Sequence, residues 1–266
     1  MEFFKYQGAG NDFVLVDNRG SHYQLNKNLS TSLVKSICDR NFGVGADGLI
    51  LLELDDEVDF KMVYFNSDGN ESTMCGNGGR CIVAFAKYLN VFEETECQFT
   101  AIDGLHRARL NEDWVELQMI DVNSVERIGA DFYLDTGSPH YVSFRENVAE
   151  MDVVNEGRKI RNNSRFIKEG TNVNFVEIKK DALLVRTYER GVENETLACG
   201  TGVTAVAIAA ELKKNNTNKN GSKIEAMGGH LEISYECEQN KFSNVWLKGP
   251  AELVFRGELK LGNTGS

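Results

Sequence analysis

N-E-S-T-M-C-G-N-G at residues 70–78 and N-E-T-L-A-C-G-T-G at residues 194–202 align without a gap at an offset of 124 residues. Both open on N-E, and both carry C-G-x-G. Each leads into an apolar stretch, I-V-A-F-A-K-Y-L at 82–89 in the first case and V-T-A-V-A-I-A-A-E-L at 203–212 in the second. Neither stretch has a full polar face, which predicts two helices buried nearly all round. A strand and a turn precede each phrase: V-Y-F-N-S-D-G at 63–69 and V-R-T-Y-E-R-G at 185–191. Weaker echoes lie upstream. G-N-D-F at 10–13 faces G-S-P-H at 137–140, and G-V-G-A-D-G at 43–48 faces G-T-N-V-N-F at 170–175. Self-similarity at about half the chain length predicts two related lobes, each a set of strands around one buried helix.

Further β-type runs are found at 13–16, 49–54, 60–65, 115–120, 174–178, 183–188, 230–235 and 253–256. The polar run K-K-N-N-T-N-K-N-G-S-K at 213–223 reads as an exposed loop after the second helix. The chain has 266 residues, which suits two lobes. With 41% hydrophobic and 26% charged residues it has the composition of a globular protein and not of a disordered one.

Charge narrows the partners. Lys and Arg number 29 against 40 Asp and Glu, a net charge of −11, and no dense basic run is present. That argues against nucleic acid and anionic membrane surfaces and leaves a small-molecule partner. The start of the chain lacks the apolar core of a signal peptide. The longest uncharged, largely apolar stretch, 196–210, is too short and too rich in Gly and Thr to cross a bilayer. The expected location is the cytoplasm.

Six cysteines stand at 38, 75, 81, 97, 199 and 237. A long cytosolic chain with an ample core has little need of disulfides. Metal binding is not expected, because C-x-x-C and H-E-x-x-H are absent and the four histidines (22, 106, 140 and 230) are not at ligand spacing. Cys38, Cys97 and Cys237 lack a Gly-rich helix start and are expected to be buried thiols that pack as small hydrophobes. Cys81 lies further into the first helix and is expected to face the core.

Cys75 and Cys199 differ from the rest. Each sits where a loop enters an apolar helix, with glycines that leave backbone N–H groups open. A helix N-terminus favours thiolate over thiol and holds anions. Bringing a cysteine from a pKa of about 8.5 to about 7 takes roughly 2 kcal/mol. The helix dipole supplies roughly 0.3–2 kcal/mol, so a dry site or hydrogen bonds must add the rest. If the lobes face each other, two sulfurs flank one cleft. One thiolate could then remove a proton from a carbon while a thiol delivers one to the opposite face, which inverts that carbon. A carboxylate bound at the helix ends would stabilise the charge that develops. No dinucleotide fingerprint or pyridoxal lysine context is evident, so the scheme is cofactor-free.

These residues resemble a known family. M-C-G-N-G-G-R-C at 74–81, Y-E-R-G at 188–191, A-C-G-T-G at 198–202 and the upstream G-A-G-N-D-F and G-V-G-A-D-G are similar to the motifs of diaminopimelate epimerases, in the family's order and across essentially the whole chain. The resemblance implies a cofactor-independent isomerase that interconverts LL- and meso-diaminopimelate in lysine and peptidoglycan-precursor synthesis. It implies an α/β (α+β) fold of two pseudo-symmetric lobes, each a β-barrel-like sheet wrapped around a central buried helix. Lobe 1–121 carries Cys75 and is completed by the last strand, 251–266; lobe 122–250 carries Cys199.

On the same grounds Cys75 and Cys199 form the acid/base pair. Gly76, Asn77, Gly200 and Thr201 would present N–H groups to the reacting carboxylate. Asn11, Asn66, Asn172, Glu189 and Arg190 would hold the substrate, chiefly its distal ammonium and carboxylate. Glu189 and His140 would also support the catalytic thiols. Two departures stand out: Ser138 replaces an amide side chain in the usual G-N-P-H, and Gly48 stands where some members carry Gln. A proline or hydroxyproline racemase of the same fold, and a non-catalytic redox sensor built on Cys75 and Cys199, remain the alternatives. A homodimer is the expected assembly.

Overall fold

The computed structural model describes residues 1–20, 25, 29–111, 114–213 and 220–260, so His22 and most of the polar run at 213–223 lie outside the described residues. In chain order the first elements are β1 (Glu2–Gly8), β2 (Asn11–Asp17), α1 (Thr31–Cys38), β3 (Gly48–Glu53), β4 (Phe60–Asn66), α2 (Gly76–Tyr88), β5 (Glu96–Ala101), β6 (Gly104–Asn111) and β7 (Trp114–Gln118). There follow β8 (Glu126–Ile128), β9 (Asp131–Asp135), β10 (Pro139–Phe144), a 3-10 turn (Val148–Glu150), α3 (Val153–Arg161), β11 (Asn172–Ile178), β12 (Leu183–Glu189), β13 (Asn194–Thr196) and α4 (Gly200–Leu212). The chain closes with β14 (Gly221–Ala226), β15 (Gly229–Glu238), β16 (Lys241–Pro250) and β17 (Glu252–Glu258). The strand runs and apolar helices read from the sequence fall on elements of the expected type.

Two compact units divide the chain, Met1–Val115 with Ala251–Ser266, and Glu116–Pro250. In the first, strands pair in the order β17-β1-β2-β3-β4-β5-β6 with senses antiparallel, antiparallel, parallel, antiparallel, parallel, antiparallel. In the second, β8-β9-β10-β11-β12-β14-β15 pair with the same succession of senses. The parallel steps are bridged by α1 and α2 in one unit and by α3 and α4 in the other, as parallel neighbours require a crossover. The repeated phrase is thus the visible part of a repeated topology.

The central helices explain their own burial. Residues 76–83, Phe85 and Ala86 of α2 are buried, and α2 packs on β1, β2, β3, β6 and β17. The Phe85 ring lies 4.9 Å from that of Phe4, tilted against it, and 5.8 Å from that of Tyr6, edge to face. Four alanines (Ala205, Ala207, Ala209, Ala210) give α4 a narrow, strongly helix-favouring body, and strands β9 to β12 and β14 to β16 close on it. Short amphipathic helices cover the other face of each sheet. Val34 and Ile37 of α1 pack on Val14, Val16, Leu49 and Leu51. Val153 of α3 packs with Val173, Phe175 and Tyr188. Their strands are therefore covered on both sides and read as unbroken apolar runs.

Both turns before the repeated phrase use a left-handed glycine, Gly69 at φ 83° and Gly191 at φ 92°. One expectation fails. Cys237 is exposed, while Cys38, Cys81 and Cys97 are buried. A register shift between Ser234 and Glu236 breaks the alternation of β15, and beyond it Glu236, Cys237 and Glu238 run out past the core at the hairpin's outer end.

Phe85 fixes the central helix of the first unit to its sheet, so Phe85→Ala is expected to cost about 3–5 kcal/mol, measured by urea unfolding.

Candidate active site

Each repeated phrase ends by capping a buried helix with a cysteine. In the first unit Cys75 is the N-cap of α2, with extended φ −103° and ψ 146°. Its sulfur accepts a hydrogen bond from the Gly78 N–H at 3.2 Å, which serves one of the donors that open a helix. The thiol is half-buried, and Gly76 and Asn77 behind it are buried. Asn77 Nδ2 donates to Asn11 Oδ1, and Asn11 Nδ2 donates to Asp47 Oδ2 at 2.8 Å. Arg40 holds Asp47 and Asp12 together, at 2.8 and 2.7 Å, and Lys5 adds a 2.6 Å pair to Asp12. Burial pushes the Asp12 carboxyl up, but the hydrogen bonds and charges of Arg40 and Lys5 outweigh it and bring it to about 2. Asn66, at the end of β4, accepts from the Tyr64 hydroxyl at 2.7 Å.

Cys199 caps α4 in the second unit in the same extended conformation, φ −116° and ψ 113°. Its sulfur lies 3.4 Å from the Thr201 hydroxyl. That hydroxyl lies 2.9 Å from His140 Nε2 and 3.1 Å from Ser138 Oγ. The His140 ring is fully buried. Burial, with the Arg190 charge adding to it, lowers its pKa from 6.5 to about 3, so it is neutral at physiological pH.

The network also sets the tautomer. Asn174 Nδ2 donates to the Tyr141 carbonyl at 3.2 Å and to His140 Nδ1 at 3.1 Å, and Asn174 Oδ1 accepts from Thr187 Oγ1 at 2.9 Å. Nδ1 is therefore an acceptor and Nε2 carries the proton. His140 donates towards Thr201 and Ser138. A side chain at Gly202 would place its Cβ 2.5 Å from Asn174 Oδ1, so the helix can approach this amide only as glycine.

The remaining second-unit candidates gather around Asn172. Its Oδ1 accepts from the Arg190 N–H at 2.8 Å, and its Nδ2 donates to Ser138 Oγ at 3.2 Å and to the Pro139 carbonyl at 3.1 Å. Arg190 is exposed and donates to the Glu169 carbonyl at 3.0 Å. Half-buried Glu189 accepts from the Thr196 hydroxyl at 2.9 Å. Within each unit, then, the sequence candidates lie in hydrogen-bonded groups: Asn11 with Asn77 behind Cys75, and His140, Asn172, Thr201 and the Arg190 backbone beside Cys199.

The diaminopimelate epimerase family profile matches residues 3–124 and again residues 132–254, one match on each copy of the repeat. The chain belongs to the diaminopimelate epimerase family. A diaminopimelate epimerase from Flavobacterium psychrophilum is 53% identical over 96% of this chain and 98% of its own length. One from Chlorobaculum tepidum is 41% identical over 96% of this chain and 99% of its own. A solved phenazine biosynthesis protein of the PhzF family from Bacillus anthracis has the same fold, with a TM-score of 0.72 at 14% identity over 98% of this chain and 99% of that one.

The two departures from the epimerase motifs acquire a structural account. At Gly48 a Cβ would sit 2.5 Å from the Tyr64 ring. The ring occupies the space of a side chain there, and its hydroxyl holds Asn66. Ser138 bonds directly to His140, at 3.0 Å, and to Asn172, so the shorter side chain joins the polar network.

The sequence reading gave no role to Lys5, Asp12, Arg40, Asp47, Tyr64, Asn174 or Thr187, all of which bond into these groups. Asp47 and Asn174 do lie in the upstream echoes, G-V-G-A-D-G and G-T-N-V-N-F, which were the available signal. Among the described residues no group of His, Cys, Asp and Glu is placed to hold a metal ion, and no helix is long and apolar enough to cross a membrane.

A histidine held neutral by burial makes folding pH-dependent. Its folded pKa, about 3, lies below its ordinary value of 6.5, so the unfolded chain binds the proton first and stability falls as pH drops through that window. His140→Gln keeps an N–H donor without the titration. Between pH 7.5 and 4.5 it is expected to lose about 2–3 kcal/mol less stability than wild type, measured by urea unfolding.

Proposed function

We propose that the chain interconverts LL-2,6-diaminopimelate and meso-2,6-diaminopimelate by two-base proton transfer through Cys75 and Cys199. The observation that carries this reading is the repeated cap: the same half-buried cysteine opens each of two buried helices. Relatives named diaminopimelate epimerase, matched over nearly their whole length, support the substrate.

The α-proton of an amino acid is weakly acidic, and its removal leaves negative charge on the carboxylate. Backbone N–H groups at Gly76 and Asn77, and at Gly200 and Thr201, suit that charge, because helix N-termini offer free donors and positive partial charge. One sulfur takes the proton as thiolate, and the other, as thiol, delivers a proton to the opposite face. Each side chain is base in one direction and acid in the other, so no cofactor enters the scheme.

His140 is a neutral donor here. Through Thr201 it can support negative charge on the Cys199 sulfur without competing for the proton. Glu189 supports the site from the end of β12. The distal end of the substrate is a second ammonium and carboxylate. Glu189 and Arg190, with Asn172, Asn66 and Asn11, supply the matching charges and amides. A thiolate must stay reduced to act, which favours a cytoplasmic setting. A homodimer is the assembly we propose.

Incubation of the reduced protein with LL-diaminopimelate in D₂O is expected to bring deuterium onto the α-carbon as meso product forms. Parallel incubations with proline and hydroxyproline are expected to stay unlabelled. Label in those tubes alone would reassign the substrate, and label in none would end the epimerase reading. Cys75→Ala and Cys199→Ala are each expected to lower turnover by about 10²–10⁴-fold or more with the fold kept. Full activity in either variant rules out the two-thiol scheme.

A further inference from the structure

The two caps are alike in helix, cysteine and glycines, yet a single formal charge separates them. Arg80, one turn into α2, is among the largest fully buried side chains of the described residues. Its guanidinium donates to the Gly76 carbonyl at 3.1 Å and to Asn77 Oδ1 at 2.8 Å, both in the turn that Cys75 caps. The repeat offset of 124 residues places Thr204 at the matching position of α4. Thr204 is equally buried, and its hydroxyl donates to the matching carbonyl, that of Gly200, at 2.9 Å. One hydrogen bond is thus common to both copies, made by a cation in the first and by a neutral hydroxyl in the second.

We propose that Arg80 makes Cys75 the thiolate of the free protein and leaves the proton on Cys199. This rests on the reading that the two cysteines are the acid/base pair. A buried cation stabilises a nearby anion far more than an exposed one does, because little water screens it. Burial lowers Arg80 to about 10, and negative charge on the Cys75 sulfur works against that burial.

The immediate hydrogen bonds point the same way. Cys75 faces the Gly78 N–H, which can only donate and so is served best by an anionic sulfur. Cys199 faces the Thr201 hydroxyl, which can donate to a thiolate or accept from a thiol.

Other charges near the caps do not reverse this. Around Cys75, the Cys81 thiol is pushed up by burial and is neutral. Tyr6 of β1 is also pushed up by its burial. Asp103, which accepts from the Met74 N–H at 3.3 Å and pairs with His106 at 3.2 Å, is exposed to screening solvent. Asp12 and Asp47 are engaged by Lys5 and Arg40 behind Asn11. Around Cys199, His140 is neutral, and Glu189 and the exposed Arg190 carry opposite charges.

The test reads each thiol without turnover. The ligand-free full-length protein is alkylated with iodoacetamide across pH 5–10, and the rate at each cysteine is followed by peptide mass spectrometry. The Cys75 rate is expected to reach half its maximum about one pH unit or more below that of Cys199. Arg80→Met, which keeps the buried stem, is expected to raise the Cys75 midpoint by that amount and leave the Cys199 midpoint in place. A wild-type Cys199 midpoint at or below that of Cys75 overturns the proposal, and so does a Cys75 midpoint unmoved by Arg80→Met. If the variant does not fold, the wild-type comparison decides alone. A protein inactive on diaminopimelate that still shows the gap loses the function and keeps this inference; an active one without the gap does the reverse.

Discussion

Every α-helix opens with amide N–H groups that have no partner inside the helix, and a helix that begins in a protein's interior cannot leave them to water. That constraint organises this fold. Each unit wraps its sheet around a helix that starts inside, and at each start the sequence places the cysteine of a C-G-x-G motif. In the first unit the sulfur itself meets one of the donors. On the proposed function, the unsatisfied ends that would destabilise a buried helix are the donors that an anionic substrate group would use. That proposal puts the structural and the chemical demand on the same few backbone atoms.

Many of the polar groups around the caps are buried, Asn77, His140, Asn172, Asn174 and Thr187 among them, and they are satisfied by one another. The second unit does so with Ser138, His140, Asn172, Asn174, Thr187 and Thr201, in which each donor meets an acceptor and the order of bonds sets the proton on His140 Nε2. The first unit uses amides backed by ion pairs, Asn77 to Asn11 to Asp47 to Arg40. The same topology thus carries two different electrostatic surroundings, and the repeat tolerates this because only the backbone path and the cap residue have to match.

What the sequence revealed, and what it hid, follows from range. The two capped helices were legible because cap, glycines and apolar run are contiguous, and because the phrase occurs twice. Most central strands were legible as apolar runs covered on both faces. Helices α1 and α3 were not, although Ser30 and Asp152 cap them; at eight and nine residues they are too short for their amphipathic pattern to stand out. Arg80 reads in sequence as an ordinary helical arginine, and only the folded sheet around α2 makes it a buried cation. The Asn174–His140 bond joins strands 34 residues apart in the chain, which no local pattern encodes. Cys237 went wrong because a bulge in β15 breaks the alternation that would have buried it.

The pairing of β17 with β1 has a cost in time. Glu2 lies opposite Glu258, and the Met1 nitrogen donates to the Leu259 carbonyl at 2.7 Å, so strands far apart in the chain lie side by side in the first unit. During synthesis β1 emerges long before its outer neighbour β17. At about 5–20 residues per second the gap is of order ten seconds to a minute. Over that interval the second unit, which is contiguous, can be made whole, while β1 presents an open row of backbone donors and acceptors. β1 is therefore exposed to wrong strand partners until β17 has been made and closes that side of it.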